Sequence, residues 1–216
     1  MSIERGRAIK VLELFSGSKT FSKEAEKRGH EVFTVDIEYG PDYCVDILEI
    51  NLSKIPFKPD VIWASPPCTT FSVASIGTHW GGGHRVYLPK TDAAKKGIDI
   101  ASKTIAIILE LQPKFWFIEN PRGVLRKLNP YKHLKPREIS YCKYGDDRMK
   151  PTDIWTNCKS WISRPMCKNG NNDCHVAAPR GAKTGTQGLK GAYERSKLPI
   201  ELCNEILDSI ERGRNE

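Results

Sequence analysis

Residues 10–36 read KVLELFSGSKTFSKEAEKRGHEVFTVD and contain a strand, a helix and a second strand in direct succession. The apolar run over residues 10–15 predicts a short buried strand, and the helix formers of residues 19–28 predict a helix that Gly29 ends. The run EVFTVD over residues 31–36 predicts the second strand, with an acidic residue at its carboxyl end. Such a unit is the building block of a sheet whose faces are covered by helices.

The same alternation continues through the middle of the chain. Residues 43–47 and 60–64 predict two further strands, and residues 115–118 predict a fifth. Apolar residues recur at helical spacing over residues 98–109, between the fourth and fifth strands. We therefore expect a doubly wound α/β sheet, in which ligands bind at the carboxyl ends of the strands.

Composition and charge narrow the functional classes. The chain of 216 residues has 34 Lys and Arg against 26 Asp and Glu, a net charge of +8. This excess favours an anionic partner, nucleic acid first, with an ordinary solvated basic surface as the alternative. We expect neither a membrane protein nor a secreted one, because no apolar run has the length of a membrane span and the first residues have no signal-peptide pattern. The expected location is the cytoplasm of a bacterial or phage-infected cell. Seven Cys, an odd number, indicate a reducing compartment and catalytic or metal-binding thiols.

Composition also divides the chain into three parts. Residues 1–155 form the predicted α/β body. Residues 156–197 hold eight Lys or Arg against two acids and show no apolar periodicity, which predicts a small irregular insertion for target recognition. Residues 198–216 carry a helical apolar stripe and are expected to pack back on the body. A monomer is the expected state.

The first three strand ends suit a nucleoside. The turn Ser16-Gly17-Ser18 lets the backbone approach a ligand, and an acid such as Asp36 can bind both hydroxyls of a ribose. Asp46, after the third strand, can accept from an adenine amino group. An ordinary turn and an ordinary loop cap are the alternatives, and these positions do not select one cofactor.

The fourth and fifth strand ends carry the chemistry. The fourth ends in SPPCTTFS, residues 65–72, where two prolines stiffen the chain before Cys68. A thiol held at a strand end in a basic setting can act as a thiolate, although a buried structural cysteine is the alternative. The fifth ends in FIENP, residues 117–121, which places the Glu119 carboxyl group beside that thiol. A nucleophile with a neighbouring acid is the minimum for covalent catalysis on a heteroaromatic ring.

The motifs LFSG, SPPCTTFS and FIENP, in this order and at these distances, resemble the DNA cytosine-5 methyltransferase family, especially its short phage-type members. The resemblance covers residues 11–210 and implies a Rossmann-like fold that binds S-adenosylmethionine. It also implies methylation of carbon 5 of a cytosine flipped out of DNA. Cys68 is the implied nucleophile at carbon 6, and Glu119 is the residue that engages the cytosine edge. The implied cofactor residues are Phe15, Ser16, Gly17, Ser18, Asp36, Asp46 and Pro67.

The sequence departs from the family pattern in several places. Lys19 and Thr20 stand where the FxGxGG motif has its last two glycines. Arg148 and Lys150 are the residues left to carry the basic motif that grips the target nucleotide. Residues 79–85, rich in glycine and histidine, predict a mobile loop that closes over the base, with an ordinary surface loop as the alternative. The C-terminal Gly-Asn motif is not recognisable, and the large target-recognition domain of longer relatives is missing.

Two other functions remain open. An amino-methyltransferase acting on adenine N6 or cytosine N4 also uses a Pro-Pro strand end, but it needs an aromatic residue where Cys68 stands. A catalytically degenerate nucleic-acid-binding scaffold is favoured by the altered glycines and opposed by the presence of Cys68 and Glu119.

The basic segment also predicts a zinc site, with ordinary free thiols as the alternative. Four soft or borderline ligands lie within eighteen residues and fit a tetrahedral ion. These four are Cys158, Cys167, Cys174 and His175. Cys142 replaces one of them in an alternative set, because adjacent Cys174 and His175 bind one ion only with backbone contortion. The expected phosphate contacts are Arg164, Arg180 and Lys183.

Overall fold

A computed structural model describes residues 7–83, 86–168, 170, 173–177, 189 and 191–213. The strands are β1 (Lys10–Leu14), β2 (Glu31–Asp36), β3 (Tyr43–Cys44), β4 (Val61–Ala64), β5 (Trp80–Gly81), β6 (Leu88–Pro89), β7 (Phe115–Pro121), β8 (Arg137–Ser140) and β9 (Pro151–Thr156). The helices are α1 (Thr20–Lys27), α2 (Ile76–His79), α3 (Asp92–Leu111), α4 (Ala192–Ser196) and α5 (Ile200–Gly213).

Seven of these strands form one sheet, in the order β3-β2-β1-β4-β7-β9-β8. The first five strands in this order are parallel to one another. β9 runs antiparallel to both β7 and β8. Leu14 pairs with Val35 on one side and with Ala64 on the other, so β1, β2 and β4 end at one level. The strand order changes direction between β1 and β4, where a doubly wound sheet opens its ligand crevice. The predicted doubly wound α/β fold is confirmed.

Each face of the sheet is covered by its own core. Val11 and Trp63 belong to the core under α1 and α5, whereas their neighbours Leu12 and Ile62 belong to the core under α3. Burial on both faces explains why these strands are continuous apolar runs. The guanidinium of Arg28, which follows α1, donates to Asp208 and Asn204 of α5, so the last helix packs along the first.

Several element boundaries differ from the sequence-based prediction, and capping interactions account for two of them. The third strand covers only residues 43–44, because Asp46 accepts from the Leu48 amide at 3.1 Å and caps a short helical turn. Helix α3 begins at Asp92, six residues before the predicted apolar stripe, and Thr91 caps its first turn.

Strands β8 and β9 were not predicted, and they extend the body into the predicted insertion. Both faces of β9 are covered, since Ile154 belongs to the core under α1 and α5 and Trp155 to the core under α3, so residues 152–155 are buried without the alternation that marks an exposed strand. Beyond it, the Trp161 ring packs edge-on against Phe117, with ring centroids 6.1 Å apart. The composition change at residue 156 therefore falls inside the core. Among the described residues, no helix has both the length and the apolar character needed to cross a bilayer.

Candidate active site

A cavity of about 400 Å³ opens at the carboxyl edge of the sheet, beside the ends of β1, β2, β4 and β7. Its volume lies in the range of about 300–1,000 Å³ that small-molecule sites occupy. The sequence-predicted residues that line it are Phe15, Ser16, Gly17, Ser18, Asp36, Asp46, Pro67, Cys68, Glu119 and Lys150. The predicted cofactor residues and the predicted nucleophile therefore share one cavity.

The turn after β1 is held by the end of β2. The Gly17 amide donates to Asp36 Oδ2 at 2.8 Å, and Asp36 Oδ1 accepts from the amides of Ile37 and Glu38. Gly17 has φ +44° and Lys19 has φ +55°, a region that favours glycine. Lys19 thus adopts a backbone conformation suited to glycine, and the altered motif still forms a tight turn.

Asp46 marks the far end of the cavity. The Lys96 ammonium of α3 lies 2.9 Å from Asp46 Oδ2 and, together with the Leu48 amide, holds the pKa of this carboxyl group below its usual value. Asp46 is therefore ionised at neutral pH, and it acts both as a loop cap and as an acceptor at the cavity wall.

The loop that carries Cys68 is fixed by the strand beside it. The Phe71 and Ser72 amides donate to the Cys68 carbonyl, which closes a turn around the thiol. Asn120 Nδ2 donates to the Pro66 carbonyl at 2.8 Å. A Cβ atom at Gly123 would lie 2.0 Å from the Phe71 carbonyl oxygen, so the chain after β7 approaches this loop as closely as only glycine permits. These contacts hold the thiol in one place at the cavity wall.

Charged groups act on the Cys68 thiol from the same cavity. The side chain is half-buried, and burial raises the pKa of the thiol, while the Lys150 ammonium lowers it and the Glu119 carboxylate raises it. Arg195 of α4 also lines the cavity and lowers this pKa. Burial has the largest effect, so the pKa of the Cys68 thiol is raised overall, and the two cations offset part of the cost of forming the thiolate.

Glu119 is buried and held by two donors. The Tyr141 hydroxyl donates to Glu119 Oε1 at 2.8 Å, and Lys150 Nζ lies 3.5 Å from the same oxygen. Burial and then the nearby Glu119 raise the pKa of Tyr141 well above its usual value, so the phenol stays protonated and keeps donating. Lys150 Nζ lies 4.4 Å from the centre of the Tyr141 ring, which adds a cation–π contact. The carboxyl group is thus positioned at the cavity by Tyr141, from outside the predicted motifs, and by Lys150 of the predicted basic pair.

Comparison with known proteins identifies the family. The sequence pattern of the family described as C-5 cytosine-specific DNA methylase matches residues 9–136. The chain is also 32% identical over 222 residues to the "Probable DNA (cytosine-5)-methyltransferase" of Frog virus 3 (isolate Goorha), an alignment that covers 93% of this chain and 99% of the viral protein. The chain belongs to the C-5 cytosine-specific DNA methylase family. Membership confirms the prediction of a DNA (cytosine-5)-methyltransferase that uses S-adenosylmethionine.

Solved structures agree on the fold. The methyltransferase resembles Entamoeba histolytica EhMeth with a TM-score of 0.52 and 16% identity, over 75% of this chain and 57% of that one. It also resembles a chain encoded in an Escherichia coli prophage and assigned as a DNA modification methyltransferase. The TM-score is 0.51 and the identity 17%, over 74% of this chain and 52% of that one. The chain spans little more than half the length of these solved structures. At such identities the likeness shows the methyltransferase fold alone.

Two basic residues predicted to contact DNA are engaged elsewhere in the methyltransferase. Arg148 does not line the cavity, because its guanidinium binds Asp146, two residues earlier, and the Lys197 carbonyl. Arg164 binds Glu201 and Glu205 of α5, at 2.7 and 2.8 Å. Both residues tie segments of the fold together, and of the predicted basic pair Lys150 lines the cavity whereas Arg148 does not.

Other predictions fall outside the described residues or are replaced. His84, Arg85, Arg180 and Lys183 lie outside the described residues. Cys158 is not near the other predicted zinc ligands, because it lies in the core with Trp161 and its Sγ atom is 3.3 Å from Ser160 Oγ. Cys142, the alternative ligand, takes its place beside Cys167, Cys174 and His175.

Sequence reasoning missed three residues of the site: Tyr141, Asn120 and Arg195. Asn120 lies in the FIENP motif, and its position directly after Glu119 was the signal that could have marked it as a site residue. Tyr141 and Arg195 lie in segments without periodicity or motif, and they reach the site through tertiary packing alone.

One buried acid at the cavity gives a pH-dependent stability. Burial raises the pKa of Glu13 to about 7, from an ordinary value of 4.5, although Ser22 donates to its carboxyl group. A raised folded-state pKa means that the stability contribution of the protonated group is complete below about pH 4.5 and is lost as the pH rises through about 7. The shift corresponds to roughly 3 kcal/mol in the free energy of unfolding.

We expect Glu13→Gln to remove this pH dependence, because the amide can still accept from Ser22 but does not ionise. Urea unfolding without cofactor at about pH 5 and about pH 8 should show a larger loss of stability for the wild type than for the variant. Glu26→Gln, on the exposed face of α1, is the matched control and should behave as the wild type. Equal losses for the wild type and Glu13→Gln would contradict the assignment.

Proposed function

We propose that this methyltransferase methylates cytosine through a covalent adduct between Cys68 and carbon 6 of the base, as a single chain acting on DNA. The observation that carries the proposal is the single cavity in which Cys68, Glu119 and Lys150 meet the residues of the cofactor turn. A carboxyl group and a thiol at one wall, and a nucleoside-type turn at the other, suit transfer between a cofactor and a flat heterocycle.

The residues at the cofactor end fit S-adenosylmethionine. The Gly17 turn lets the backbone approach the ligand, while Asp36 and Asp46 offer acceptors for ribose hydroxyls and an adenine amino group. Apolar side chains supply walls for the adenine ring, among them Phe15, Val35 and Ile47. When bound, S-adenosylmethionine supplies an electrophilic methyl group.

The chain's own residues prepare the base for that methyl group. Carbon 5 of cytosine is a weak nucleophile, and addition of the Cys68 thiolate to carbon 6 converts the ring into an enamine whose carbon 5 is nucleophilic. Lys150 and Arg195 lower the cost of forming this thiolate, which burial of the thiol raises. After methylation, loss of the carbon 5 proton and elimination of the Cys68 sulfur restore the aromatic ring and the free thiol.

Glu119 stabilises the adduct at ring N3. Negative charge builds up on the ring as the thiolate adds, and a carboxyl group that shares or donates a proton at N3 disperses it. Tyr141 fixes the orientation of the Glu119 carboxyl group, because its hydroxyl donates to Glu119 Oε1 at 2.8 Å. Lys150 places positive charge beside that oxygen and beside the thiol.

Product identification tests the proposed reaction. The chain is incubated with unmethylated DNA and S-adenosylmethionine, and the nucleosides are separated and weighed by mass spectrometry. We expect 5-methylcytosine as the modified nucleoside. N4-methylcytosine or N6-methyladenine would instead support an amino-methyltransferase, and unmodified DNA with retained DNA binding would support the degenerate scaffold.

A further inference from the structure

A second cluster of reactive side chains lies outside the cavity. Cys142, Cys167, Cys174 and His175 each offer one ligand atom, and these four atoms all lie within 4.8 Å of one another. Cys142, Cys167 and His175 are buried, and Cys174 is half-buried. All seven cysteines of the chain are free thiols, so the cluster contains no disulfide.

We propose that this cluster binds a structural zinc ion. Zn–S distances of about 2.3 Å and Zn–N distances of about 2.0–2.1 Å place the ligands of a tetrahedral ion about 3.5–3.8 Å apart. Cys167 Sγ and His175 Nδ1 are already 3.7 Å apart. The other distances between ligand atoms are at most 4.8 Å, so the side chains need to move inward by no more than about 1 Å, which rotamer adjustment supplies.

The imidazole of His175 supports a ligand role. The residue is only 6% exposed, and its Nε2 atom is buried without a hydrogen-bond partner among the described residues. A buried polar ring that lacks a full set of partners is costly unless another interaction compensates it. A zinc ion bound at Nδ1, the ring atom beside Cys167 Sγ, would anchor the ring in this buried position, and each thiol would release its proton on binding.

The ion would join two distant parts of the chain. Cys142 lies in the turn between β8 and β9, whereas the other three ligands lie in the basic segment. The segment is anchored at its start, where Trp161 packs against Phe117 and Arg164 binds α5, but it has little apolar material around the three ligands: Val176 is 60% exposed. Around these ligands, backbone amides attach the segment to the body, from Cys167 to Ser140 Oγ and from Val176 to the Asp147 carbonyl. A metal cross-link therefore supplies the stability that apolar packing does not.

The cross-link also lies next to the catalytic site. Cys142 directly follows Tyr141, whose hydroxyl holds Glu119. Zinc at this position would fix the turn that presents the phenol, and it would fix the basic segment on the same side of the body. The expected role is structural, since all four coordination positions are filled by protein ligands.

Metal content of the full chain tests the proposal. Protein purified under reducing conditions and equilibrated with zinc sulfate should retain about one zinc ion per chain after desalting, measured by elemental mass spectrometry. Cys142→Ser, from the body, and Cys174→Ser, from the segment, should each lower this value to less than about 0.1. Cys44→Ser changes an exposed thiol outside the cluster and should keep the full content.

Cobalt binding keeps the test informative if a cysteine variant does not fold. The wild-type chain, freed of zinc by a chelator, should bind cobalt(II) with the strong visible bands of a tetrahedral thiolate site, and zinc should remove those bands. A zinc content near zero, a weak octahedral cobalt spectrum, or full zinc retention by both variants would each overturn the proposal. None of these readouts depends on methyl transfer, so the result is independent of the proposed function.

Discussion

Cys68→Ser should abolish methylation and the covalent complex with DNA. A serine hydroxyl is far less acidic than a thiol, so its anion does not form even with Lys150 and Arg195 nearby, and the addition to carbon 6 fails. We expect turnover to fall by about 10⁴-fold or more, the scale on which loss of a nucleophile acts. With DNA whose target cytosine carries fluorine at carbon 5, the wild type should form a complex that survives denaturation. Fluorine stands in place of the carbon 5 proton and cannot leave as a cation, so the elimination that frees the Cys68 sulfur is blocked.

Two further observations make this experiment specific. Cys44→Ser removes an exposed thiol outside the cavity and should form the denaturation-resistant complex at the wild-type rate. Cys68→Ser should still bind S-adenosylhomocysteine in calorimetry, because the cofactor turn lies on other strands. Methyl transfer at the wild-type rate by Cys68→Ser would exclude the covalent mechanism. Loss of cofactor binding in that variant would instead point to a folding defect.

The site could be predicted from sequence where it depends on strand ends. A parallel sheet brings the carboxyl ends of its strands to one edge, so recognising the strands before Phe15, Asp36, Cys68 and Glu119 was enough to place these residues together. Their apolar runs were unambiguous because both faces of the sheet are buried. The apolar pattern of the strands was therefore enough to predict which residues meet at one edge of the sheet.

The remainder of the site depends on packing that no local pattern records. Tyr141 reaches Glu119 through a turn between two antiparallel strands that lack alternation. Cys158 is nearer in sequence to the other cysteines than Cys142, yet the Cys158 side chain is buried in the core under α5. Arg148 has the residue type of a DNA contact, but Asp146 binds its guanidinium locally. Spacing alone could not distinguish a charge directed at substrate from one that holds the fold.

Glu119→Gln should slow methylation by roughly 10²- to 10⁴-fold, the range of general acid–base effects, while leaving cofactor and DNA binding intact. The amide has nearly the shape of the carboxyl group and can still accept from Tyr141, so the loop geometry should persist. What it loses is a group able to hold a proton at ring N3, and charge then accumulates on the ring as the Cys68 sulfur adds. Single-turnover rates, together with dissociation constants for S-adenosylhomocysteine and DNA, separate these effects.

The same variant also tells where in the reaction Glu119 acts. If its task is to stabilise the adduct, the denaturation-resistant complex with fluorinated DNA should form more slowly by the same factor as turnover, because addition precedes methyl transfer. Glu138→Gln is the matched control. It loses an ion pair with Arg126, in which nitrogen and oxygen lie 2.9 Å apart, but its carboxyl group does not line the cavity. This variant should keep the wild-type rate. Complex formation at the wild-type rate by Glu119→Gln would move the role of this carboxyl group to a later step. Weakened binding of both ligands would make it a structural partner of Tyr141, since a group that acts only on the reacting ring changes the rate and not the affinities.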